Sequence, residues 1–85
     1  MQKIRVALER ALAPVSLEIR DDSHLHAGHA GARSGKGHFS VVIVAAGFEG
    51  RSLLECHRMV YGALGELMDT DIHALSIRAS APAAP

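Results

Sequence analysis

Ile4, Leu8, Ala11 and Leu12 recur at helical spacing and lay one apolar stripe along the first segment. Pro14 stops that helix, because the residue before a proline is driven out of the helical region. Val15, Leu17 and Ile19 then alternate with Ser16, Glu18 and Arg20, the two-residue period of a half-buried strand. HFSVVIVAA, from His38 to Ala46, is β-branched and apolar at both parities, which marks a central strand. GFEG breaks it. Ser52-Leu53-Leu54-Glu55 reads as a capping box. The helix after it carries Leu53, Leu54, His57, Val60, Tyr61, Leu64, Leu67 and Met68 as its expected apolar face, with Gly62 or Gly65 as a place to split. Asp69-Thr70-Asp71 ends it, and IHALSIRA is a last strand with Leu75 and Ile77 on one side.

The order is therefore α-β-β-α-β, with the long helix divisible. Two strands joined by a loop pair as an antiparallel hairpin, and a strand that follows a helical crossover pairs in parallel. The expected product is an α+β domain: a three-stranded mixed sheet with helices on one face. Residues 1–79 are read as a single domain and residues 80–85 as a disordered tail.

Composition narrows the function. Eighty-five residues support one modest core. Nine Lys and Arg balance nine Asp and Glu, which argues against a basic nucleic-acid module. The single cysteine, Cys56, excludes an internal disulfide framework and suits a reducing compartment. MQKIRVALER interrupts its apolar positions with charges, unlike a signal peptide. No run approaches the ~18 apolar residues of a membrane span. A soluble cytoplasmic protein without membrane association is expected.

The candidate chemistry is concentrated in DDSHLHAGHAGARSGKGH, Asp21 to His38, which holds four of the six histidines. Histidine contributes no turn chemistry of the kind that Gly, Asn or Asp supplies. His24, His26 and His29 offer several donors within reach of one ion, whereas His24 and His38 are expected to be solvated or hydrogen-bonded. His73 opens the last strand on the Leu75/Ile77 side, and by itself such a residue more often just bonds a carbonyl. His57 is read as a core-edge histidine satisfied by hydrogen bonds, and Cys56 as a small packed residue at the margin of the helical stripe. No nucleophile–base–orienter spacing is present, so no enzyme is expected. Gly47-Phe48-Glu49-Gly50 and Gly62-Ala63-Leu64-Gly65 have the GxxG form of a backbone clamp, but neither sits in a basic patch; Arg51 and Arg58 are the candidate nucleic-acid contacts. A mononuclear zinc or copper ion on the His-x-His tract is a third option.

Phe48-Glu49-Gly50, Cys56-His57-Arg58-Met59-Val60-Tyr61 and Ile72-His73-Ala74-Leu75 follow the Asp-Asp-Ser entry to the histidine loop in a fixed order. Together they resemble the BolA family over nearly the whole chain. One departure is Cys56, where the family usually has arginine before the helical histidine. The resemblance implies a class II KH-like fold and partnership with monothiol glutaredoxins in iron–sulfur cluster and iron handling. It implies a [2Fe–2S] cluster bridged between the two chains, with the glutaredoxin cysteine and a glutathione thiol on one iron. His73 and a loop histidine would hold the other: His26 by position, with His29 as its alternative. The metal would not be needed for folding. Since neutral imidazole is the ligand form, such a site should weaken in mild acid. Transcriptional regulation through DNA is the rival that the same resemblance carries, and a homodimer stays open.

Overall fold

The computed structural model describes residues 2–22 and 37–83. Within them run α1 (Gln2–Leu12), β1 (Ser16–Asp21), β2 (Gly37–Val44), a 3-10 turn (Ala46–Phe48), α2 (Leu53–Leu64), α3 (Leu67–Thr70) and β3 (Ile72–Ser80). β2 is central, antiparallel to β1 and parallel to β3. The α+β architecture and mixed sheet expected from the hydrophobic pattern are the ones observed.

The core forms where α1, α2 and one face of the sheet meet. Ile4 and Leu8 come from α1, Val41 and Ile43 from β2, and Cys56, Val60 and Leu64 from α2; all are buried. Phe48 of the 3-10 turn and Ile72 complete the same cluster. On the other face Glu18, Arg20, Val42, Ser76 and Arg78 are exposed, so the sheet has one packed side and one wet side.

Three local expectations change. The buried face of α2 is Cys56, Val60 and Leu64 at four-residue spacing, flanked by partly buried Met59 and Ala63. Leu53 and Leu54 are 66% and 60% exposed, and Tyr61 also faces solvent. The packed face is rotated from the expected one, so that Cys56, Val60 and Leu64 join the core while Leu53, Leu54 and Tyr61 turn to solvent. Val15 is exposed rather than inward, since β1 begins only at Ser16. Finally, β3 runs one residue beyond the expected IHALSIRA, through Ser80, and Ala81 packs against the core.

The ends of the helices follow from named contacts. The Ser52 hydroxyl accepts from the Glu55 amide at 3.1 Å, and the Glu55 carboxylate accepts from the Ser52 amide at 3.1 Å. Gly65, at φ +53°, ends α2 in a conformation that costs a side-chain-bearing residue energy, and its amide donates to the Tyr61 carbonyl at 3.0 Å. The split of the long helix thus falls at the second of the two glycines considered.

Candidate metal centre

In a parallel pair both strands begin at the same end of the sheet. β2 opens Gly37-His38 and β3 opens Ile72-His73, so the two strand starts bring two imidazoles together. The ring centres of His38 and His73 are 4.9 Å apart, with the planes inclined at 48°. His38 is half-buried and His73 is exposed.

The backbone beneath them is pinned. The Gly37 amide donates to the Asp71 carbonyl at 2.9 Å, and the Asp22 amide donates to the His38 carbonyl at 2.7 Å. The Ser40 hydroxyl donates to the Asp22 carboxylate. The register slips between Gly37 and His38: Gly37 faces Ile72, while His38 faces Ala74. Ile72 is buried and Leu75 packs against the core, with two exposed residues between them. His73 is the extra residue of this bulge, and bulges re-aim side chains beside functional sites. This corrects the expectation that His73 shares the inward side of Leu75 and Ile77.

Beside the pair, a shallow groove on the wet face is lined by Asp22, His38, Ser40, Ala74 and Ser76. Just before β3, Asp71 is held below the usual carboxylate range, chiefly by the Thr70 hydroxyl donating at 2.6 Å and further by Lys3, whose ammonium stands 3.6 Å away.

The chain matches the model of the family described as BolA-like protein over residues 8–84. The chain belongs to the BolA-like family. Among BolA relatives, Protein BOLA1, chloroplastic, of Arabidopsis thaliana is 47% identical over 83 residues, covering 94% of this chain and 52% of that protein. The DNA-binding transcriptional regulator BolA of Escherichia coli is 41% identical over 76 residues, covering 89% of this chain and 70% of the relative. The solved BolA domain of SufE1 from Arabidopsis thaliana superposes with a TM-score of 0.82 at 43% identity, covering 95% and 90% of the two chains. This BolA-like chain spans about half the length of the plant BOLA1 and mouse BolA-like protein 1 that it matches.

The site residues read from the sequence divide three ways. His73 stands at the mouth of the parallel pair. His26 and His29, with His24, lie outside the described residues. His38, set aside as solvated or hydrogen-bonded, is the histidine that accompanies His73. The signal that could have found it is the parallel topology itself, which aligns two strands that each begin one residue before a histidine.

Cys56 and His57 belong elsewhere. Cys56 is 4% exposed, with its Sγ 4.0 Å from the Phe48 carbonyl. His57 is half-buried, and its Nε2 is buried without a hydrogen-bond partner among the described residues, contrary to the satisfied histidine expected. Arg51 is occupied at the start of α2: its Nε donates to the Gly47 carbonyl at 3.1 Å and its guanidinium pairs with Glu55 at 3.7 Å. Arg58 is exposed. The first GxxG string carries the buried Phe48, and the second lies across the end of α2; neither is a free loop. Among the described residues no helix is long and apolar enough to cross a membrane.

Proposed function

We propose that the chain pairs with a monothiol glutaredoxin and, with that partner and glutathione, co-ligates a [2Fe–2S] cluster in iron–sulfur trafficking or iron regulation. The observation that carries this reading is an exposed His73 on a bulge at the start of β3. Imidazole nitrogen suits iron, and two histidines on one iron of a [2Fe–2S] centre are known chemistry that raises its potential. The residues present therefore fit the group. His73 would hold the iron from the strand start and His26 would join it from the loop, with His29 as the alternative. The exposure of His73 leaves room for a second protein's ligands at the same metal. The chain acts here as a partner rather than a catalyst, and a cytoplasmic location is part of the proposal.

The test is anaerobic reconstitution with a monothiol glutaredoxin and glutathione, read by visible absorption and circular dichroism. A mixed complex distinct from the glutaredoxin homodimer, and lost in His73→Ala, is the expected result. A His73→Ala protein with the wild-type mixed-cluster spectrum would falsify the reading.

A second reading rests on the name of the Escherichia coli relative, a DNA-binding transcriptional regulator. The balanced charge and the engagement of Arg51 with Glu55 leave little for phosphate neutralisation. A gel shift that steepens with falling salt and is weakened by Arg58→Ala would favour it.

A further inference from the structure

We propose that His38 and His73 form a chelating pair that binds a single divalent transition-metal ion on the lone chain, without a partner protein. The proposal shares only His73 with the cluster reading and stands apart from it.

The first support is ring geometry. A metal ligated by histidine lies about 2.0–2.1 Å from the nitrogen, hence roughly 3.2 Å from the ring centre. Two such rings at angles between square and tetrahedral therefore have centres about 4.5–5.2 Å apart. The observed separation is 4.9 Å, with rings tilted rather than stacked flat. The separation of the ring centres is therefore the one that two imidazoles sharing an ion would have.

The second is rigidity. The Gly37–Asp71 and Asp22–His38 backbone hydrogen bonds tie together the three chain segments beneath the rings. Ligands held on paired strands have little freedom left to lose when a metal arrives, unlike ligands on a glycine-rich loop.

The third is donor type. The described residues contain no group of three His, Cys, Asp or Glu placed to hold an ion. Among the described residues the pair therefore offers two nitrogens to an ion. Imidazole selects Cu²⁺, Ni²⁺, Zn²⁺ and Co²⁺ over Mg²⁺ and Ca²⁺, which prefer oxygen. Cu²⁺ should bind most tightly of these.

The experiment uses the full chain alone, with Cu²⁺ as the probe. Calorimetry gives affinity, electron paramagnetic resonance gives nitrogen ligation, and broadening of the histidine ring signals by substoichiometric Cu²⁺ gives location. Two variants remove one strand imidazole each, His38→Ala and His73→Ala; a third changes His24, His26 and His29 to Ala together. The expected result is broadening at His38 and His73 and at least a roughly tenfold loss of affinity in either single variant. The triple loop variant should keep a two-nitrogen signal. Absence of Cu²⁺ binding in the wild-type chain overturns the proposal. So does binding that the triple variant abolishes and His38→Ala leaves intact. If His38→Ala does not fold, the broadening pattern of the wild-type protein decides by itself. A wild-type chain that binds Cu²⁺ at the pair but forms no mixed cluster with glutaredoxin and glutathione counts against the glutaredoxin reading alone.

Discussion

Gly37 stands opposite Ile72, yet the next residue of β2, His38, stands opposite Ala74, so His73 occupies a place in β3 that has no counterpart in β2. A bulged, exposed side chain supports no core contact. His73→Ala should therefore change unfolding free energy by no more than about 0.5 kcal/mol while removing the ligand. Urea unfolding checks this, and a loss of several kcal/mol would show that fold and ligand are not separable at this residue.

The loop histidines should behave differently from His73. His26→Ala should weaken the mixed-cluster spectrum only mildly, because His29 or His24 of the same segment can replace it. Only the combined change of His24, His26 and His29 to Ala should approach the His73→Ala loss. Titration with glutaredoxin, with and without cluster, separates ligand loss from interface loss for each variant.

Cys56→Ser should leave the mixed cluster intact, because the thiol lies in the core among Val60, Leu64 and Phe48. Placing a hydroxyl there should lower stability by about 1–3 kcal/mol, less if it donates to the Phe48 carbonyl. A lost cluster spectrum in a folded Cys56→Ser protein would count against the all-histidine ligand set.

Ser52→Ala should cost about 1 kcal/mol through loss of the cap on α2. The same cap is acid-sensitive. The Glu55 carboxyl is held below its ordinary value of 4.5, first by the Ser52 backbone amide, then by the Ser52 hydroxyl, with Arg51 and Arg58 adding charge. A carboxylate favoured in the folded state stabilises fully above its unfolded value and ceases to do so as pH falls through its lowered one. Stability measured from pH 6 downward should fall less steeply below about pH 4.5 in Glu55→Gln than in wild type. Parallel curves would remove Glu55 from the acid response.

Ala13 follows the last residue of α1 at φ 44°, a left-handed conformation, and donates its amide to the Glu9 carbonyl at 3.1 Å. That conformation costs a residue with a Cβ roughly 1–2 kcal/mol, part of which glycine would return as greater freedom of the unfolded chain. Ala13→Gly should raise stability by up to about 1 kcal/mol. A lower thermal midpoint in the variant would contradict this.

The periods of the sequence made most of the fold legible. Ile4 and Leu8 at helical spacing, Leu17 and Ile19 in alternation, and Val41 and Ile43 of β2 each found their packed neighbours, while Val42 faces solvent. The capping box at Ser52 and Glu55 closed as read. The face of α2 was misdrawn because an apolar count cannot tell an exposed Leu53 from a buried Leu64; only the position of the sheet does. The site was half legible. His73 carried a motif, but its outward setting depends on a bulge, which is a relation between two strands and leaves no mark on either alone. His38 was passed over because its partner lies across a helical crossover rather than nearby in the chain.

The parallel pairing of β2 with β3 has a consequence for how the chain acquires its chemistry. The hairpin of β1 and β2 closes locally, but β3 docks only after the whole helical segment has been made and folded back, a step delayed by the entropy of closing a long loop. His38 is in place early and meets His73 last. The two rings therefore work as a checkpoint: a half-folded chain holds the same six histidines but not that geometry, and it cannot present the pair to a metal before its slowest contact has formed.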